Sequence, residues 1–339
     1  MSIPGYPHRS ASARPRRDDP VSTTVWPKIA VMGSGAVGCY FGGMLARAGA
    51  PVTLIARAGH VAEIERRGLR FDGLHFQENI PIAASTEVAA VRGAQLLLFS
   101  VKSLDTEAAA QSLAAHLDPG AIILGLQNGV DNIERIRQHL PNPVIPAVVY
   151  VAAAMAGPGI VRHTGRGDLV IGALDRPGHG ASLPAGCLWE TAALFERAAI
   201  PCRISDNIEG ELWAKLLMNC AYNAISALGR AQYGRIAASP AALEVMSAAV
   251  REVIAVAEAD GVTLPPGDLV DAARRLADAM AGATSSTAQD IARGKPTEID
   301  YLNGYVVRRG ELRGVPTPVN RTLYALVKLL EGADGPPAA

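Results

Sequence analysis

The chain has 339 residues, with 32 Lys+Arg against 32 Asp+Glu, and 49% of its residues are hydrophobic. That length suits two domains with buried cores, and the balanced charge lacks the basic excess typical of a nucleic-acid binder. No apolar run reaches the roughly 18 to 20 charge-free residues of a membrane helix, because VIPAVVYVAAAMAG is interrupted by Pro146 and followed by Pro158.

Residues 1–26 are rich in Pro, Ser and Arg, with neither a signal-peptide core nor helical periodicity, and read as a disordered tail. Order is expected from Lys28, where the apolar run KIAVM meets the glycine turn GSGAVG and then the helical stretch CYFGGMLARAG. A second strand, PVTLIAR, follows the helix stop at Gly49. A third, AQLLLFSVK, comes after a helix and a hairpin-like segment. A fourth, AIILGLQNG, follows the helical DTEAAAQSLAAHL. Strands alternating with helices at this spacing predict a parallel, doubly wound sheet. Beyond Asn142, the runs VIPAVVYVAAAM, GIVRHTG and GDLVIGAL suit extra strands closing one side of the same domain.

From about Asp206 strand signals fade. EGELWAKLLMNCAYNAISAL and ALEVMSAAVREVIAVAEADG instead place apolar residues at three- and four-residue intervals. The expected fold is therefore α/β: a Rossmann-like doubly wound sheet domain over 27–205, an all-helical domain over 206–332, and a second disordered tail over 333–339. Cys39, Cys187, Cys202 and Cys220 show no C-x-x-C spacing, which argues for reduced thiols in a cytoplasmic protein and against a disulfide framework or a zinc site.

The sequence GSGAVG, comprising Gly33, Ser34, Gly35, Ala36, Val37 and Gly38, matches G-x-G-x-x-G between a strand and a helix. In such a turn the first glycine makes the bend, the second lets a pyrophosphate approach the backbone, and the third lets helix and strand pack closely. The helix N-terminus then presents free N–H groups to phosphate. At the end of the second strand, Leu54-Ile55-Ala56-Arg57 has no carboxylate to accept a ribose 2′-hydroxyl. Arg57 suits a 2′-phosphate instead, which favours NADP; a solvent-facing arginine is the structural alternative.

Lys102, in SVKS, and Asn128, in LQNG, end the third and fourth strands, where a doubly wound sheet forms its ligand crevice. The competing readings are a surface lysine and an Asn-Gly turn. Lys215, Asn219 and Asn223 recur every fourth residue and share one helix face, either turned to a polar ligand or exposed as a polar stripe. Downstream, SSTAQDIARGKPTEIDYLNGY concentrates polar residues, Ser286 and Glu298 among them, in what taken alone is a capped polar connection.

Taken in order, GSGAVG, VKS, LQNG, ELWAKLLMNCAYN and SSTAQDIARGKPTEIDYLNG resemble the ketopantoate reductases (2-dehydropantoate 2-reductases) from Lys28 to Leu330. The resemblance implies NADPH-dependent reduction of ketopantoate to pantoate, a step toward pantothenate and coenzyme A. It casts Lys215 as proton donor to the substrate carbonyl and Glu298 as a catalytic support near lysine and cofactor. Asn219, Asn223 and Ser286 would hold substrate, and Asn128 would stand at the nicotinamide–substrate junction. Two features depart from the family pattern: the N-terminal tail, and Tyr233 where some members carry a further asparagine. The implied partner is a small 2-oxo acid, with a homodimer as the candidate assembly and no nucleic acid or membrane. Two readings compete: reduction of another 2-oxo acid on the same fold, and a catalytically silent NADP-binding sensor, against which the retained Lys215 and Glu298 speak.

Overall fold

The computed structural model describes residues 25–174 and 182–332. The expected tails at 1–26 and 333–339 lie, except for Val25 and Trp26, outside the described residues. The first half holds β1 (Ile29–Met32), α1 (Ala36–Arg47), β2 (Val52–Ile55), α2 (Ala58–Arg67), β3 (Leu69–Asp72), β4 (Gln77–Ile80) and β5 (Ala83–Ser85). It continues through β6 (Leu96–Phe99), α3 (Thr106–Leu113), β7 (Ile122–Gly125), α4 (Asn132–Arg137), β8 (Val144–Gly157), β9 (Ile160–Ile171), α5 (Cys187–Arg197) and β10 (Cys202–Ile204).

These strands form one sheet in the order β4-β3-β9-β8-β7-β6-β1-β2-β5, with β10 beside β9. The run from β5 to β8 is parallel throughout. The rest is mixed, because β8 turns back into β9 and β3 into β4 as antiparallel hairpins. The parallel run is the doubly wound sheet expected, the strands beyond Asn142 are the extra strands closing one side, and their antiparallel pairing has a local cause. Ile160 follows the end of β8 by only three residues, a connection that permits a hairpin and is far too short for a crossover.

Alternation explains why the central strands are apolar on both faces. Ile29, Val31, Leu96, Leu98 and Leu124 point into a core with α1 and α5. Ala30, Leu97, Phe99 and Ile123 point into the opposite core with α3 and α4. Helices thus cover both faces of the sheet.

After Ile204 the described residues contain no strand. Here lie α6 (Ile208–Gly229), α7 (Tyr233–Ala237), α8 (Pro240–Ala259), α9 (Leu269–Ala279), α10 (Ser286–Ala292), α11 (Asn303–Arg313) and α12 (Pro318–Gly332). Their own core gathers Trp213, Leu217, Cys220, Met246, Val250, Val253 and Val306. Asn207 caps α6 by accepting from Gly210 N at 3.0 Å. Ile208 and Leu212 pack with Val148 and Val170, fixing the start of α6 against β8 and β9. That apolar joint sets where the polar face of α6 falls. Tyr233 stacks on Tyr222 with ring centroids 4.5 Å apart and belongs to the helical core. The four cysteines are free and buried. Among the described residues no helix is long and apolar enough to cross a membrane.

The glycine turn divides its functions by position. Gly33 has φ +96°, and a Cβ there would lie 2.5 Å from Val101 N. A Cβ on Gly38 would lie 2.4 Å from Gly33 O and 2.6 Å from Ser100 Oγ, whereas one on Gly35 would meet nothing within 4 Å. Gly38→Ala is therefore expected to cost about 1–3 kcal/mol, because a backbone oxygen cannot yield to the new methyl. Gly35→Ala should change stability by less than about 1 kcal/mol; urea unfolding of the two variants checks the contrast.

Candidate active site

The crevice is built where β6 and β7 end and where α6, α10 and the segment before α11 face them. Ser100 Oγ donates to Gly33 O at 2.9 Å, tying the end of β6 to the glycine turn. Ser34 Oγ donates to Ile55 O at 2.9 Å, doing the same for β2. The turn, Arg57 at the start of α2, and the ends of β6 and β7 are thereby held as one rim. Arg57 is exposed and has no ion pair among the described residues.

A buried polar network supports that rim from below. Gln127 Nε2 donates to Val101 O at 3.0 Å and to Thr106 Oγ1 at 2.7 Å, and Thr106 Oγ1 donates to Asn132 Oδ1 at 3.0 Å. Asn132 Nδ2 donates to Asn128 O at 2.6 Å. Arg135 donates to Ser103 O at 2.6 Å, pairs with Glu107 at 2.6 Å, and lies over the Tyr301 ring at 4.4 Å. These buried hydrogen bonds rigidify the two strand ends, although Gln127 Oε1 finds no partner among the described residues.

Above the network, the two halves of the chain meet at Glu298. Its Oε1 accepts from Ser103 N and from Ser103 Oγ, both at 2.9 Å, and its Oε2 accepts from Asn128 Nδ2 at 3.1 Å. Beside it, Lys102 Nζ donates to Asp290 Oδ2 at 2.7 Å and to Pro296 O at 3.1 Å. Burial pushes the Asp290 carboxyl up from the usual range, and Lys102 works against that.

Lys215 extends from α6 and donates to Val149 O of β8 at 2.6 Å. Burial pushes its ammonium down to about 8, the nearby Glu298 charge opposes that, and Arg166 adds to it. One turn along, Asn219 is partly buried; a further turn along, Asn223 is buried and donates to Ser286 Oγ at 3.5 Å. Ser286 itself is exposed at the start of α10, while Ser285 caps that helix.

The structure thus gathers Lys102, Asn128 and Glu298 in one hydrogen-bonded corner, with Lys215 in electrostatic reach of Glu298. Asn223 and Ser286 form a second contact pair farther along α6. Gly33 to Gly38 and Arg57 belong to the same sheet-side rim as Lys102 and Asn128. Sequence reasoning did not single out Ser103, Asn132 or Arg135. Ser103 directly follows Lys102, and Asn132 follows Asn128 by one helical turn, so their proximity to the named residues was the available signal.

A glycine-turn sheet facing a helical lobe that carries an ammonium and a carboxylate defines a dinucleotide-dependent oxidoreductase. Comparison with known proteins narrows the class. Residues 29–176 match the family model "Ketopantoate reductase PanE/ApbA", and residues 207–331 match "Ketopantoate reductase PanE/ApbA C terminal". The 2-dehydropantoate 2-reductase of Halobacterium salinarum is 34% identical over 309 residues, covering 90% of this chain and 99% of that one. A crystal structure of a PanE/ApbA family ketopantoate reductase from Ralstonia eutropha JMP134 is 51% identical with TM-score 0.83, covering 90% of this chain and 98% of that one. A D-mandelate dehydrogenase solved with NADH and anilino(oxo)acetate shares the fold at TM-score 0.83 and 24% identity, covering 90% of this chain and 99% of that one. The chain belongs to the ketopantoate reductase family, whose members are oxidoreductases acting on a CH–OH group.

Because Glu298 opposes the desolvation of Lys215, neutralising it should lower the lysine further. In Glu298→Gln the side-chain titration of Lys215, followed by NMR of labelled lysine, is expected to move below its starting value of about 8. An unmoved titration would show that the two groups are not electrostatically linked.

Proposed function

We propose that the protein reduces ketopantoate to pantoate with NADPH, the step toward pantothenate and coenzyme A, with Lys215 as the proton donor. The observation that carries this reading is the meeting of Lys215, Glu298 and Asn128 in one crevice bordered by the glycine turn. The names of curated relatives at 34% identity support the substrate.

The rim residues fit a dinucleotide. Gly35 leaves open space where a Cβ would lie, and the first amides of α1 have no intrahelical acceptor. Arg57 stands at the end of β2 with no carboxylate beside it, which supports NADP over NAD. When bound, the reduced nicotinamide supplies hydride to the carbonyl carbon.

The chain's own residues do the rest. Negative charge grows on the carbonyl oxygen as the ketone is reduced, and an ammonium stabilises it and delivers a proton. Lys215 gives one N–H to Val149 O, leaving two for other acceptors. An acid constant of about 8 keeps it protonated at neutral pH while making proton release cheap. Asn219, Asn223 and Ser286 offer amide and hydroxyl donors to the substrate's carboxylate and hydroxyl.

A second reading, reduction of a different 2-oxo acid, draws on Tyr233, which packs in the core where some family members carry a further asparagine. Comparing kcat/KM for ketopantoate with that for smaller and bulkier 2-oxo acids decides between them.

Lys215→Ala should lower kcat by at least about 100-fold while NADPH binding changes little. In the wild type, kcat should fall on the alkaline side as pH rises through about 8, because the ammonium is the active form. A near-normal kcat with only KM raised would make Lys215 a substrate-binding group instead. For the cofactor, Arg57→Ala should weaken NADPH on the order of tenfold or more and leave NADH nearly untouched. Equal losses for both would remove the 2′-phosphate role.

A further inference from the structure

The residue that joins the two halves of the crevice most directly lies outside the catalytic set named above. We propose that Ser103 is a positioning residue that holds the Glu298 carboxylate, through its backbone N–H and its hydroxyl, where that charge acts on Lys215. The inference rests on the reading of Lys215 as the proton donor.

Ser103 is fully buried and supplies two of the three hydrogen bonds that Glu298 receives among the described residues, the third coming from Asn128 Nδ2. Its own placement is set from the sheet side. Arg135 donates to its carbonyl at 2.6 Å, and Asn132 Nδ2 approaches its hydroxyl oxygen at 3.3 Å. The hydroxyl has one proton and two acceptors in reach, Glu298 Oε1 at 2.9 Å and Asn128 O at 3.1 Å. Withdrawal of Glu298 therefore leaves the hydroxyl a partner but orphans the buried Ser103 N–H, which opposes that withdrawal. With Glu298 in place, hydrogen bonds to a charged acceptor favour that contact over the neutral carbonyl.

Four charged groups surround the contact. Lys215 on α6 and Asp290 on α10 feel the Glu298 charge, Lys102 at the end of β6 is paired with Asp290, and Arg135 on α4 lies behind Ser103. Loss of the Ser103 hydroxyl leaves Asp290 and Glu298 repelling one another with one restraint fewer on the carboxylate that acts on Lys215.

The test compares wild type, Ser103→Ala, Glu298→Gln and the double variant, with NADPH and ketopantoate as substrates. Ser103→Ala should lower kcat on the order of tenfold, with KM within about twofold and the alkaline limb of the kcat profile moved to lower pH. Added to Glu298→Gln, it should cause no further loss of kcat. Multiplicative losses, or an alkaline limb left where the wild type has it, would overturn the proposal, since a merely structural serine gives both.

NMR titration of labelled Lys215 reads the same coupling without turnover. In Ser103→Ala the titration should shift toward that of Glu298→Gln. A wild type inert on ketopantoate that still shows this shift overturns the substrate reading and leaves the role of Ser103 standing. Normal turnover with an unmoved Lys215 overturns the role of Ser103 alone.

Discussion

Glu298 takes hydrogen bonds from Ser103 and Asn128 across the crevice, at 2.9 to 3.1 Å, and the arrangement of the active site depends on that contact. A carboxylate drawn into a partly buried corner must be satisfied by donors, and here the donors belong to the sheet while the acceptor belongs to the helical half. The contact therefore sets the relative position of two bodies with separate cores. The neighbouring Lys102–Asp290 pair, which bridges the same two halves, reinforces it.

Lys215 shows why that carboxylate matters chemically. The apolar joint of Ile208 and Leu212 with Val148 and Val170 carries the lysine to the edge of β8, where water is scarce. Desolvation favours loss of its proton, and Arg166 pushes the same way. The charge of Glu298 opposes this, leaving an ammonium whose acid constant is about 8. An exposed lysine on the same helix would hold its proton more tightly.

Much of this could be read along the chain because its signals are local. Strand-turn-helix order around Gly33 to Gly38, the missing acid beside Arg57, and the three-and-four spacing of the helices each depend on a few neighbouring residues. The mixed character of the sheet was harder, since the hairpin of β8 and β9 has the same apolar texture as a buried parallel strand. Lys102 illustrates the limit differently. Its position at a strand end marked it as a crevice residue, but that its ammonium engages Asp290, 188 positions away in the chain, is invisible in local pattern.

The amino-acid sequence by itself determined the element order, the glycine turn and the polar face of α6, because periodicity and backbone sterics act over a few residues. Only the tertiary structure decided that Ser103 and Arg135 take part, that Asn223 is buried while Ser286 is exposed, and that Lys215 is desolvated near Glu298. Those properties arise from through-space electrostatics and hydrogen bonds between segments 32 to 195 residues apart, and solvent exclusion exists only once the two halves have packed.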